Sequence, residues 1–125
     1  MTESENVKTL YDNLINAQFY SFPLLGKVSV SVKQGVYIIY GSNNKVLHVG
    51  KTSRAKNGLN QRLTNHLRAQ SSFSKAYLIK NGIDLRQIGS YKIIEIEDSR
   101  MRTFVEALAI GKLCPAHVGT GAKNG

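Results

Sequence analysis

The stretch Gly35-Val36-Tyr37-Ile38-Ile39-Tyr40-Gly41-Ser42-Asn43-Asn44-Lys45-Val46-Leu47-His48-Val49-Gly50 decides the fold. Residues 35–40 and 45–49 are two runs rich in β-branched and aromatic side chains, and Gly-Ser-Asn-Asn separates them. That grouping predicts a β-hairpin closed by a turn of four or five residues. After a polar loop over 52–58, Leu59, Leu63 and Leu67 recur at helical spacing and mark a helix. Ser71 or Ser72 caps a further helix, which Asn81-Gly82 ends. Residues 90–97 read as a strand. Asp98 or Ser99 then starts a last helix with the apolar stripe Met101, Phe104, Val105, Leu108 and Ala109, ending before Pro115.

Upstream of the hairpin, Thr2 and Glu5 form a T-x-x-E capping pattern ahead of Val7, Leu10, Tyr11 and Leu14, which predicts a helix over 3–18. Pro23 and Gly26 break the chain, and the alternation of Val28, Val30 and Val32 predicts a short edge strand. The small polar tail, 119–125, is expected to be disordered. The expected class is α+β, a three-stranded, mostly antiparallel sheet flanked by helices, with an added N-terminal helix. Residues 1–34 supply that helix and a connecting segment, and 35–118 form the main domain.

The chain has 125 residues, 42 % of them apolar, which suits one domain with a real core. A single cysteine, Cys114, excludes an intrachain disulfide and a four-cysteine zinc site. No apolar run is long enough to span a membrane, so a soluble, cytoplasmic protein is expected.

Seventeen Lys and Arg against eight Asp and Glu give a net charge of +9. From Asp12 to Asp84 the chain carries no acid, but it carries Lys27, Lys33, Lys45, Lys51, Arg54, Lys56, Arg62, Arg68, Lys75 and Lys80. Such a one-sign stretch attracts polyanions, and nucleic acid is the favoured partner. The bases do not gather opposite an apolar helix face, which argues against a membrane surface.

Several familiar chemistries drop out. Gly50-Lys51-Thr52 resembles the end of a phosphate loop, but that pattern needs a glycine where Lys45 stands. His48, His66 and His117 lack paired metal-ligand spacing. The acid-free stretch between Asp12 and Asp84 argues against a two-metal site built from several carboxylates. Glu95 and Glu97 share one face of a strand, read as its solvent face.

Gly35-Val36-Tyr37, followed one hairpin later by His48-Val49-Gly50, resembles the GIY-YIG nuclease family. The rest of that pattern follows in order: Lys51 after the second glycine, Leu59-x-x-Arg62-x-x-x-His66 on the next helix, and Glu106 in the last helix. The resemblance implies that Tyr37 takes the proton from an attacking water. It also implies that Arg62, beside His66 on one helix face, stabilises the phosphate, and that Glu106 holds one divalent ion, Mg²⁺ or Mn²⁺ in its place. Lys51, Arg54, Lys56, Arg68, Lys75 and Lys80 would grip the backbone.

Each residue also has a plainer reading. Tyr37 can be strand packing, Arg62 a surface arginine lying over leucines, His66 a partly buried polar group, and Glu106 an i, i+4 partner of Arg102. Two positions depart from the family. His48 stands where the second tyrosine is expected, and either it or Tyr37 can serve as general base. No asparagine follows Pro115, so His117 or Asn124 replaces it or the contact is missing. The expected function is a metal-dependent endonuclease on DNA, monomer or homodimer, with RNA not separated from DNA by charge. The alternative is a catalytically inactive DNA- or RNA-binding module of the same fold.

Overall fold

The computed structural model describes residues 1–53 and 56–118. In chain order they form α1 (Glu3–Ile15), β1 (Tyr20–Ser21), β2 (Gly35–Tyr40), β3 (Val46–Lys51), α2 (Gly58–Leu67), α3 (Leu85–Ile88), β4 (Ser90–Glu95) and α4 (Ser99–Leu113). A 3-10 turn, Ser42–Asn44, closes the hairpin, and a π-helical turn, Ser74–Leu78, lies between α2 and α3. The caps explain several boundaries. Thr2 and Glu5 form the expected capping box on α1, Asp84 accepts from Arg86 N to start α3, and Asp98 accepts from Arg100 N to start α4.

The class is α+β, with one antiparallel sheet in the order β1-β4-β2-β3. Four strands replace the expected three. The additional one is the two-residue pair of Tyr20 and Ser21 with β4, not the stretch around Val28, Val30 and Val32. That stretch is claimed by α2. Leu59 N donates to Lys33 O (2.9 Å), Asn60 N to Ser31 O (2.9 Å), and Val30 N to Asn60 Oδ1 (3.0 Å). Helix α2 has no side-chain cap, so these carbonyls satisfy its first N–H groups and leave none for a sheet edge. The approach is so close that a Cβ on Gly58 would lie 2.1 Å from Lys33 O. The expected 71–82 helix takes the form of the π-helical turn, with Gly82 in the left-handed region (φ 63°) at its expected end, and α3 lies beyond that span.

Every residue of β2 is buried, because both faces of the sheet are covered. One face carries Val36, Ile38 and Val49 against Leu14 of α1 and Val105 and Ala109 of α4. The other carries Tyr37 and Ile39 against Leu59 and Leu63 of α2, with Phe73 and Leu78 beyond. No helix among the described residues is long and apolar enough to cross a membrane. Arg54 and residues 119–125, Asn124 included, lie outside the described residues.

Two buried cations bind the layers together. Lys92 on β4 donates to Ile15 O, ending α1 short of Gln18, and its ammonium lies 4.3 Å from the Phe19 ring centroid. Arg102 donates through Nε to Thr52 O (3.1 Å), through Nη1 to Ile96 O (2.9 Å) and Glu97 O (2.7 Å), and through Nη2 to Ser53 O (3.1 Å). Its guanidinium is therefore committed to backbone carbonyls, and the i, i+4 pair with Glu106 does not form. Arg102→Met orphans these carbonyls and is expected to cost about 3 kcal/mol, read as a lowered urea midpoint. An unchanged midpoint refutes the clamp.

Candidate active site

Strand pairing places Tyr37 opposite Gly50 and Ile39 opposite His48. A register shift next to Tyr40, which pairs with Val46, leaves Leu47 as the extra residue of a β-bulge. Facing residues of an antiparallel pair share a side of the sheet, so Tyr37 and His48 look toward α2. The phenol of Tyr37 covers Gly50, where a Cβ would lie 2.3 Å from the hydroxyl oxygen. A glycine is required there by space.

The Tyr37 hydroxyl lies 2.6 Å from Nε2 of His66 on α2. The other ring nitrogen, Nδ1, lies 2.7 Å from Ser71 Oγ. Ser71 Oγ lies 2.9 Å from Ser74 Oγ, which donates to His66 O at 2.7 Å. Tyr37, His66, Ser71 and Ser74 are all buried. Burial pushes the Tyr37 phenol up to about 12, with the Arg62 charge pulling against it and the Glu106 charge adding to it. Burial, assisted by the charges of His48, Arg62 and His117, holds the His66 imidazole well below its ordinary range and therefore neutral at pH 7.

Arg62, one helical turn before His66, is the cation nearest this chemistry. Its Nε is buried without a hydrogen-bond partner among the described residues. Glu106 on α4 is partly buried, and burial raises its carboxyl against the pull of Lys51 and Arg62. It makes no hydrogen bond or ion pair with a described residue, since the one ion pair among them joins Arg100 to Glu3. Lys51, at the end of β3, donates to Thr103 Oγ1 of α4 (3.1 Å).

His48 packs against Phe73 and His117. Its ring stacks on Phe73 (centroids 4.5 Å apart, planes 11° apart), and its Nδ1 meets Nδ1 of His117 at 3.1 Å. Burial, then the charges of His117 and Arg62, push it down to about 3, against a hydrogen bond to the His117 backbone that favours the charged form. Such an imidazole is a poor base at neutral pH. His117 is brought here by the chain after α4, where Ala116 N donates to Val46 O (3.1 Å) and His117 N to Leu47 O (2.9 Å) along the free side of β3.

Neither protein-family models nor curated protein sequences match this chain. The functional reading rests on the chemistry of this cluster.

Tyr37, Arg62, His66 and Glu106, from three elements of secondary structure, thus belong to one electrostatically coupled group. Lys56, Arg68, Lys75 and Lys80 are exposed and outside it, on the loop before α2, at the end of α2 and around the π-helical turn. Sequence reasoning missed the role of Ser71 and Ser74, because nothing local to a pair of serines at i, i+3 reports a histidine above them. Phe73 was missed for the same reason.

Depressed imidazoles give a defined pH dependence. Below pH 6.5 the unfolded chain takes up protons that the folded His48, His66 and His117 resist, so stability present at pH 7 is lost as pH falls. For His48 alone the loss at pH 5 is about 2 kcal/mol, and the raised Glu106 carboxyl offsets part of the total. Melting temperature should drop between pH 7 and pH 5, with a shallower slope in His48→Gln. Equal slopes refute a neutral, buried His48.

Proposed function

We propose that this protein is a metal-dependent endonuclease that hydrolyses DNA phosphodiester bonds, with a GIY-YIG-like fold and the cytoplasm as its expected location. The carrying observation is a buried Nε of Arg62 without a partner, on a guanidinium that also hydrogen-bonds Tyr37, beside a partly buried Glu106 carboxylate outside any ion pair among the described residues. Buried polar groups without partners are rare and mark places where a ligand completes the bonding. Here the open groups are a planar cation and a hard anion, which suit a phosphate and a divalent metal. The acid-free run from Asp12 to Asp84 supplies the field that draws in a polyanion.

Arg62 binds the non-bridging phosphate oxygens and offsets the negative charge that builds as the nucleophile arrives. When a bound phosphate neutralises Arg62, one of the charges that hold His66 down, the Tyr37 oxygen takes a proton from the attacking water as its own proton passes to Nε2 of His66. Relaying the proton this way avoids a free phenolate, which a value of about 12 makes inaccessible near neutral pH. The hydroxide forms a bond to phosphorus, the bond to the leaving oxygen breaks, and that oxygen takes a proton from solvent.

Glu106 is the residue that would hold the metal. No group of three or more potential ligands exists among the described residues, so the fit is to a cation that takes one carboxylate and completes its shell with water and phosphate oxygens, as Mg²⁺ does. When bound, the ion supplies positive charge at the phosphate and leaving group.

The reading predicts that the protein nicks supercoiled plasmid with Mg²⁺ or Mn²⁺ and stops when a chelator is added. Tyr37→Phe should slow nicking about a hundredfold or more, and it should lower the melting temperature as well, because the buried Nε2 of His66 loses its donor at a cost of about 1–3 kcal/mol. Glu106→Gln should abolish nicking, retain gel-shift binding, and barely move the melting temperature. Retained nicking in Glu106→Gln refutes the metal assignment, and wild type that binds but never nicks identifies a binding module without chemistry. Duplex affinity should fall steeply with salt in every variant, and a flat response rejects the polyanion surface.

A further inference from the structure

We infer that Ser71 and Ser74 are positioning residues that lock His66 in its Nδ1–H tautomer and so make the Tyr37 hydroxyl a donor to Nε2. The catalytic consequence rests on the nuclease reading above; the tautomer does not.

The assignment follows from counting protons. Ser74 has one hydroxyl proton, and a carbonyl can only accept, so the 2.7 Å contact with His66 O uses it. The 2.9 Å contact between the serine oxygens must then be filled by the proton of Ser71. Ser71 Oγ has nothing left to donate, and it already accepts from Ser74 N at 3.1 Å. Its 2.7 Å contact with His66 Nδ1 is a hydrogen bond only if Nδ1 carries the proton. A lone pair facing a lone pair at that distance would repel.

A neutral imidazole has one N–H, so Nε2 is an acceptor and Tyr37 donates to it at 2.6 Å. Arg62, His48 and His117 all disfavour a second proton on the ring. Solvent offers no competing partner at these buried oxygens.

The fold builds this arrangement deliberately. The π-helical turn Ser74–Leu78 begins at the second serine, with Ile79 N reaching Ser74 O at 3.0 Å. Phe73, between the two serines, stacks on His48 and closes the site on that side. Turns of this kind occur frequently at functional sites. Without Ser71, Nδ1–H loses its acceptor and the ring is free to move the proton to Nε2. An Nε2–H would donate to the Tyr37 oxygen and remove the acceptor for the phenol proton.

The test is nitrogen-detected NMR of the histidine rings in the wild-type chain, with no metal or DNA added, and in Ser71→Ala, Ser71→Thr and Ser74→Ala. The expected wild-type spectrum shows a protonated Nδ1 and a bare Nε2 on His66. Ser71→Ala should shift the ring toward Nε2–H, and Ser71→Thr, which keeps the hydroxyl, should restore the wild-type pattern. Nicking by Ser71→Ala should fall about tenfold, less than for loss of the proton-transfer group itself, with plasmid affinity unchanged and Ser71→Thr close to wild type. An Nε2–H tautomer in the wild type overturns the inference without any variant needing to fold, and so does an unchanged tautomer in Ser71→Ala. The expected tautomer in a chain that never nicks upholds the lock and overturns the nuclease reading instead.

Discussion

The hydroxyl of Tyr37 is the constraint around which the site is arranged. It belongs to β2, which is buried along its whole length, and a hydroxyl there without a partner would cost about 1–3 kcal/mol. The surrounding structure answers that demand in sequence. Gly50 leaves room for the ring, His66 accepts the proton, and Ser71 and Ser74 hold His66. A tyrosine tolerated only for packing would need a single partner. This one sits at the head of a chain of hydrogen bonds that ends on a backbone carbonyl.

A second constraint is the scarcity of acid. Lys92 and Arg102 are buried without carboxylates and are satisfied by the carbonyls that end α1 and join the loops around β3 and β4. Carbonyl dipoles solvate a cation without cancelling its formal charge, so the chain's positive excess is retained. The same economy keeps Glu106 out of an ion pair. With Arg102 committed elsewhere, that carboxylate feels Lys51 and Arg62 at a distance and stays open to a ligand. The stability of the layers and the openness of the candidate metal ligand therefore have one origin.

Local periodicity made the hairpin, α1, α2 and α4 legible, along with Asp98 as the cap of α4 and the capping box on α1. It misread the valines at 28, 30 and 32, because alternation shows that a strand is possible but not which acceptors compete for its backbone. The unsatisfied N–H groups of Leu59 and Asn60 lie far along the chain and claim those acceptors. β1 and α3 escaped notice because two and four residues are too few to carry a period.

At the candidate site, the sequence by itself determined the residue types: Tyr37 on the hairpin, an arginine and a histidine one turn apart on the next helix, and one carboxylate on the last. These are visible because strand alternation and the helical repeat are properties of neighbouring residues. Only the tertiary structure decided their states. It turned His48 toward His117 and Phe73, lowered three imidazoles, and left Arg62 Nε and Glu106 without partners among the described residues. Protonation and hydrogen bonding depend on burial and on groups brought close from distant segments, and no window of sequence contains that information.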